Sequence, residues 1–142
     1  MRYGVLVVGL LGLVAGWLGL ARGVSSTDIQ IMDAWVQETT ARRAVLHLMI
    51  GSNGVGSDRL VRISTELANR VVIFNQVGQA SKDLVIPAGS KWVMGTDVPR
   101  IELEELTRSL KAPGTFPILF VFERAGKLYS QVRVEVAGHS PH

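Results

Sequence analysis

The sequence contains no cysteine, which excludes disulfide bonds, thiolate metal sites, haem attachment through a Cys-x-x-Cys-His motif and cysteine nucleophiles. Long runs of one charge are also missing, because the 15 basic and 12 acidic side chains are scattered and leave a net charge of only +3. Arg42 and Arg43 form the densest basic spot, and no aromatic residues that could stack on bases accompany them. We therefore expect no nucleic-acid partner.

The usual catalytic motifs are absent as well. The sequence has no Gly-x-Ser-x-Gly elbow and no His-Glu-x-x-His motif, and the glycine-rich stretch 51–56 lacks the Lys-Ser/Thr ending of a phosphate-binding loop. The carboxylates Glu102, Glu104 and Glu105 are close in sequence, and we interpret them as a solvated face rather than as a general acid and base. We expect a protein that is not an enzyme and that needs no cofactor.

The N-terminal segment is the longest apolar run. Nineteen residues without a formal charge, 3–21, lie between Arg2 and Arg22, and a helix of that length just spans the roughly 30 Å of a bilayer's hydrocarbon core. The small residues Ala21 and Gly23 also fit the −3 and −1 positions of a signal-peptidase site, which would leave a mature N-terminus near Val24. We favour a retained transmembrane helix.

Glycines form a stripe on this predicted helix. They recur at spacings of 3, 4, 3 and 4, which places them on one helical face: Gly9, Gly12, Gly16, Gly19 and Gly23. Small residues at such spacing allow close packing of helices in lipid, so the stripe predicts contact with subunits of an integral membrane complex. The alternative is that both signal sequences and membrane helices tolerate glycine without a packing role.

From residue 28 onward, short β-rich runs alternate with turn residues at intervals of about ten residues, which is typical of a β-sandwich or barrel. The predicted strands are 29–37, 44–50, 60–64, 70–76, 82–86, 91–94, 100–103, 117–124 and 127–136. The last has strict alternation, and Ala125-Gly126-Lys127 before it predicts a hairpin. Residues 100–110 could also form an amphipathic helix, although we expect a strand followed by a short turn.

Six short stretches, in a fixed order, carry a family resemblance. They are Ile31-Met32-Asp33-Ala34-Trp35, 50–54, Asp58-Arg59-Leu60-Val61, Ala68-Asn69-Arg70-Val71, Ile86-Pro87-Ala88-Gly89 and 119–126. Their order and spacing resemble the periplasmic PCu(A)C copper-chaperone family over residues 29–138. The resemblance implies an all-β fold, a cupredoxin-like β-sandwich, here preceded by one N-terminal transmembrane helix.

The resemblance also implies where copper ligands would lie. Members of that family bind Cu(I) through two His and two Met, but the first His position corresponds to Phe74 and the His-x-Met pair to Arg100 and Glu102. No methionine occurs between Asn75 and Val93. Because Cu(I) prefers imidazole and thioether donors, we expect the inherited site to be degenerate, with no metal bound there.

Other soft donors are few. His47 and Met49 have a His-x-Met spacing, which in a strand directs both side chains to one face, but they lie in the second strand, and we expect them to have a packing role. His139 and His142 occupy a C-terminal tail that could bind a metal weakly. Met94 beside Trp92 is most simply core filling.

These observations together predict four segments: a transmembrane helix at 1–23, a linker at 24–28, the sandwich at 29–138 and a tail at 139–142. The protein is expected in the inner membrane as a single-pass protein, with its N-terminus inside and its domain in the periplasm. Its expected function is that of a non-catalytic accessory subunit of a larger membrane complex, of the respiratory or photosynthetic electron-transfer class, in contact with lipid bilayer and partner subunits. Two alternatives stay open: a divergent periplasmic copper chaperone or metal-binding protein, and a secreted module that binds a small ligand.

Overall fold

The computed structural model describes residues 28–138, and the regular structure in that range consists of β-strands. The strands are β1 Ile29–Gln37, β2 Arg43–Ser52, β3 Asp58–Ser64, β4 Ala68–Phe74, β5 Ala80–Ser81, β6 Leu84–Ile86, β7 Lys91–Met94, β8 Arg100–Leu106, β9 Gly114–Phe122 and β10 Gly126–Glu135. The predicted all-β fold is therefore confirmed.

The strands form one folded-over sheet in the order β5-β4-β8-β2-β1-β10-β9-β3-β6, with β7 paired to β2 outside this path. Strand β2 joins the two layers, because residues 43–46 pair with β8 and residues 48–51 pair with β7. The pairing of β1 with β10 is parallel, whereas the other pairs among the described strands are antiparallel. The result is a β-sandwich whose first and last described strands are neighbours.

The core lies between the two layers and is built by alternation along the strands. In β2 the buried side chains Leu46, Leu48 and Ile50 alternate with half-buried neighbours. Strand β10 follows the predicted alternation, with Val132 and Val134 buried, but it ends at Glu135, and Val136, predicted as its last inward residue, is 56% exposed. Alternation of this kind gives each strand one core face and one outer face.

The predicted hairpin between β9 and β10 is confirmed, and its turn is fixed by a buried carboxylate. Gly126 adopts φ 81° and pairs with Phe122 at the turn. Asp58, only 8% exposed, accepts hydrogen bonds from the backbone amides of Arg124 and Ala125, both at 2.8 Å, and of Arg59 at 2.7 Å. This side chain ties the start of β3 to the hairpin.

A second carboxylate holds chain segments at the far end of β1. Glu38 accepts hydrogen bonds from the amides of Ala112 at 3.2 Å and Ala137 at 3.1 Å. These two bonds, helped by the nearby Lys111, lower the pKa of Glu38 below its ordinary value of 4.5. The charged form of this side chain therefore links the loop before β9 to the end of β10.

The helical alternative for residues 100–110 is wrong, because β8 is a central strand with partners on both sides. Its helix-like spacing has a local cause. Leu103 and Leu106 are both buried although they are three residues apart, and between them Glu105 has a left-handed φ of 54°. This irregularity turns Leu106 back toward the core. The buried residues of the strand are therefore spaced as they would be in a helix.

One predicted strand is shorter in the structure. Of the predicted range 82–86, Leu84–Ile86 forms strand β6, whereas Lys82 and Asp83 lie between β6 and the end of β5 at Ser81. Between them the Ser81 hydroxyl donates to the carbonyl of Asp83 at 2.9 Å, which closes a local turn.

Some predictions fall outside the described residues. They are the helix at 1–23 with its glycine stripe, most of the linker, and the tail with His139 and His142. Within residues 28–138, no helix is long and apolar enough to cross a membrane.

Candidate functional site

The structure brings together the three positions that the family resemblance singled out, which are Phe74, Arg100 and Glu102. Phe74 ends β4 and pairs directly with Arg100 at the start of β8. The Arg100 guanidinium carbon lies 4.6 Å from the centroid of the Phe74 ring, and Arg100 Nε donates to Glu102 Oε2 at 2.8 Å. The carbonyl of Thr96 accepts a further bond from Arg100 at 3.1 Å.

The ion pair in this cluster is largely shielded from water. The side chains of Arg100 and Glu102 are 25% and 12% exposed. A second cation, Arg43, reaches Glu102 at 3.9 Å but is itself 68% exposed. The charges of Arg100 and Glu102 therefore neutralise each other, and the Phe74 ring stabilises the guanidinium from one side.

These residues do not fit Cu(I). Phenylalanine offers no donor atom, the guanidinium of Arg100 is a permanent cation, and the Glu102 carboxylate is a hard donor already bound to Arg100. The three side chains instead form a cation–π contact and an ion pair.

The prediction of a solvated acidic face is wrong for two of its three residues. Glu102 is only 9% exposed and belongs to the cluster just described. Glu104 lies 2.6 Å from Arg70 across the β4–β8 ladder, with its side chain 14% exposed. Glu105 is exposed. Because both shielded carboxylates are engaged in ion pairs, the acidic run offers no proton-transfer pair.

A second cluster lies on the outer face of β1 and β2. His47 and Met49 alternate with the buried residues of β2 and are half-buried. Across the ladder, His47 pairs with Trp35, and Met49 pairs with Met32 of β1. Side chains directly opposite each other share one face of a sheet, so Met32, Trp35, His47 and Met49 form a single surface, here called the His47 face.

A β-bulge creates this face. Three steps along β1, from Met32 to Trp35, oppose two steps along β2, and the extra residue directs both side chains to the same side. Within the bulge Asp33 has φ 56°. Its carboxylate accepts a bond from Arg133 at 2.8 Å, and this bond, with a second from Arg133 to Glu135, raises the pKa of Arg133 above its ordinary value.

The imidazole of His47 is held on two sides. Its ring stacks on Trp35 with centroids 3.9 Å apart and planes inclined by 11°. Its Nδ1 edge abuts Gly95, where an added Cβ would lie only 2.8 Å from Nδ1. A groove of about 290 Å³ runs beside the ring and is lined by Asp33, Trp35, His47, Leu48, Met49, Val93 and Met94.

Met94 lies in the core, unlike Met32 and Met49. Met94 is 2% exposed and pairs with the buried Leu48, which confirms that its side chain is core filling. In the part of the chain that the structure describes, no group of three or more His, Cys, Asp or Glu side chains could hold a metal ion.

Sequence reasoning identified His47 and Met49 but missed Met32 and Trp35 as their neighbours. A period-2 pattern places Met32 and Trp35 on opposite faces, and only the bulge brings them together. The single local signal was Asp33, a residue type that tolerates positive φ.

Comparison with solved structures assigns the fold to the class of PCuAC domains. A structure titled copper-bound PCuAC domain from PmoF2 aligns with TM-score 0.70 at 20% identity, covering 77% of this chain and 93% of that one. The apo PCuAC domain from PmoF1 gives TM-score 0.71 at 18% identity, with coverages of 77% and 94%. The solution structure of CuI-DR1885 from Deinococcus radiodurans gives 0.64 at 18% identity and 81% of each chain.

The family is shown by the match of the sequence to a family model. The model of the LpqE-like family matches residues 29–134, and the chain belongs to that family. A search of the curated proteins finds no match. The predicted resemblance to the copper-chaperone family is thereby confirmed at the level of the fold, which at this identity is what the structural likeness establishes.

Proposed function

We propose that this protein is a non-enzymatic, extracytoplasmic copper-handling module of the chaperone type. The observation that carries the proposal is the fold, which the chain shares with nearly the full length of a copper-bound PCuAC domain. Soft donors on an outer sheet face support it. Half-buried ligands suit a carrier, since a partner can reach a metal held there.

The acidic residues support the non-enzymatic part of the proposal. Glu102 and Glu104 are the shielded carboxylates closest to one another in sequence, and each is bound to an arginine. A general acid or base needs a carboxyl group that can exchange a proton with substrate. We therefore expect metal binding and transfer, without turnover.

The placement of the domain belongs to the same proposal. We propose that residues 1–23 form the anchoring helix in the inner membrane, that 24–28 link it to the domain, and that the domain lies in the periplasm. The apolar run between Arg2 and Arg22 supports this arrangement.

The test is Cu(I) binding by the full-length protein in mild detergent under anaerobic, reducing conditions. Competition with the chromogenic Cu(I) chelator bicinchoninate should show that one equivalent of copper is withheld from the dye. The loaded protein should then pass the metal to a higher-affinity apo acceptor. If the dye takes all the copper, as it does in protein-free detergent buffer, the proposal is wrong.

The Phe74–Arg100–Glu102 cluster favours a second candidate, a membrane-anchored accessory subunit without metal. At the positions where the resemblance places ligands, an arginine occupies the space with its charge neutralised. Such a domain would bind protein partners of an electron-transfer complex, while the stripe that includes Gly12 and Gly16 packs in the membrane.

Mild-detergent purification of a C-terminally tagged form, with mass spectrometry of its N-terminus and its partners, separates the candidates. Stoichiometric co-purifying subunits with an intact Met1 would establish the accessory subunit, and Gly12→Leu or Gly16→Leu should then release it. A start near Val24 and a soluble monomer would instead indicate a secreted small-ligand module.

A further inference from the structure

We infer that a pocket between the β1–β2 loop and the β8–β9 loop binds a phosphate group. The pocket has a volume of about 340 Å³ and is called the arginine pocket here. Thr40 and Arg42 line it from one loop, and Thr107, Arg108 and Ser109 line it from the other. The inference goes beyond the proposed copper-handling function and does not depend on it.

The pocket exists because the two loops differ in length. Thr39 and Leu110 exchange two backbone hydrogen bonds of 2.9 Å, and Leu106 donates its amide to the carbonyl of Arg42 at 3.0 Å. Between these two pairs lie two residues of the β1–β2 loop but three residues of the β8–β9 loop. The two chains therefore cannot continue the ladder, and they separate. The side chains of Leu106 and Leu110, 2% and 3% exposed, fix the frame of the pocket to the core.

Further hydrogen bonds hold both loops in place. On one side, Ala41 donates its amide to the Thr39 hydroxyl at 2.9 Å. On the other side, the Thr107 amide donates to the carbonyl of Leu67 at 2.9 Å, and the Thr107 hydroxyl donates to the carbonyl of Glu66 at 3.4 Å. Because the loops are held before a ligand arrives, less conformational entropy is lost on binding.

Two arginines supply positive charge to the pocket. Arg42 Nε donates to the carbonyl of Leu106 at 3.2 Å, which positions the guanidinium and leaves its Nη atoms as donors for a ligand. Within residues 28–138, neither Arg42 nor Arg108 forms an ion pair, and the Arg108 side chain makes no hydrogen bond. Both residues are exposed, so a ligand can reach them from solvent.

Acidic side chains do not neutralise these arginines. Among the described residues, no carboxylate lines the arginine pocket. The acidic residues of β8 and its end, Glu102, Glu104 and Glu105, form ion pairs with arginines outside the pocket. Glu66 lines an adjoining groove together with Arg108, but the two side chains do not form an ion pair. The pocket therefore favours an anion.

The donor set selects a phosphate group among anions. Guanidinium groups carry a permanent charge and present planar sets of donors that match phosphate oxygens. The hydroxyls of Thr40 and Ser109 make no hydrogen bond within the described residues and can donate to a bound oxygen. Because donors come from both loops, a tetrahedral oxyanion can meet them on several sides, whereas a planar carboxylate presents only two oxygen atoms.

The test is titration of the ¹⁵N-labelled full-length protein in mild detergent with inorganic phosphate, at an ionic strength kept constant with chloride. We expect saturable shifts of the backbone amide signals of Thr40 and Ser109, with a dissociation constant of about 1 mM or below. Arg108→Gln should weaken binding by about tenfold, because it removes a charged donor. Since the Arg108 side chain makes no hydrogen bond within the described residues, this variant should keep the fold.

Two further variants separate recognition from general attraction of anions. Arg62→Gln is the matched control, because Arg62 is an exposed arginine of β3 outside the pocket and its loss changes the net charge equally. It should leave phosphate binding unchanged. Arg42→Lys keeps the charge but loses the planar donors, so it should bind phosphate more weakly than wild type and more tightly than Arg42→Gln.

A second arm of the experiment identifies the molecule that carries the phosphate. The same amide signals are compared in nanodiscs of phosphatidylcholine alone and in nanodiscs that also contain phosphatidic acid. Shifts caused by phosphatidic acid would indicate a lipid headgroup. Shifts caused only by inorganic phosphate or glycerol 3-phosphate would indicate a soluble molecule.

The inference is overturned if the shifts do not saturate, or if Arg62→Gln weakens binding as much as Arg108→Gln. Either result would mean that the net charge of the domain attracts anions without a specific site. The copper-handling proposal would be unaffected, because its test measures a different ligand.

Discussion

The Arg100–Glu102 pair allows a sharp prediction about the stability of the domain. Arg100→Met removes the contact to Glu102 at 2.8 Å and the guanidinium over the Phe74 ring. Glu102, with its side chain 12% exposed, keeps only the distant and exposed Arg43. Breaking a buried ion pair costs about 3–5 kcal/mol, and a cation–π contact contributes about 0.5–2 kcal/mol. Because Arg100 is partly exposed, we expect a smaller loss than their sum, about 2–4 kcal/mol in the free energy of unfolding.

The double variant Arg100→Met with Glu102→Met should be more stable than Arg100→Met alone. It removes both charges together and replaces them with apolar side chains of similar length, which for shielded pairs costs little, here about 1 kcal/mol or less. The control is Arg59→Met, because Arg59 is 43% exposed and its partners Asp83 and Glu123 are 38% and 64% exposed, and surface pairs of this kind contribute about 1 kcal/mol at most.

The assay is equilibrium urea unfolding of the full-length protein in mild detergent, followed by circular dichroism in the β-sheet region. The interaction energy is obtained from the wild type, the two single variants and the double variant. The reasoning is refuted if the double variant loses as much stability as the two single variants added together, since that would mean the two charges do not depend on each other.

Two further predictions concern the carboxylates that hold the loops. Asp58→Ala leaves three backbone amides at the β9–β10 turn and the start of β3 without their charged acceptor, and we expect about 2–4 kcal/mol of destabilisation in urea unfolding; Asp83→Ala, at an exposed ion pair, should change little, and equal losses would contradict the role of Asp58. Glu38 has a lowered pKa in the folded state, so its stabilising effect is fully present above the unfolded value near 4.5 and is lost as the pH falls through the lower, folded value. Glu38→Gln should therefore lower the midpoint of thermal unfolding more at pH 7 than at pH 3, and a difference that does not vary with pH would count against this linkage.

Most of the strand pattern could be predicted from sequence because period-2 alternation survives wherever a strand has one core face. Strand β10 is the clearest case, with Val132 and Val134 inside. The pattern failed where the backbone departs from a regular strand. The left-handed Glu105 gave β8 a helical spacing, and the bulge at Asp33 hid the shared face of Met32 and Trp35.

The candidate sites, too, could be predicted only in part from the sequence. Correspondence with the family motif identified Phe74, Arg100 and Glu102, and the structure places them side by side. What the three residues do together could not be predicted, because a stretch of charged residues looks the same in sequence whether it is solvated or paired. The neighbours of His47 were hidden for a further reason: cross-strand register between β1 and β2 is a tertiary property.

The parallel pairing of β1 with β10 gives the domain a particular response to mechanical load. Strand β1 starts at one end of the sandwich and β10 finishes at the other, so a pull applied to the two ends of the described chain acts along their shared ladder. The pairs Trp35–Arg133, Val36–Val134 and Gln37–Glu135 then carry the load together, and the Asp33–Arg133 bridge reinforces them. Under this shear load the pairs of the ladder must break together, whereas an antiparallel hairpin pulled at its free ends separates one pair at a time. A domain tethered at one end and grasped by a partner at the other would stay folded under that pull.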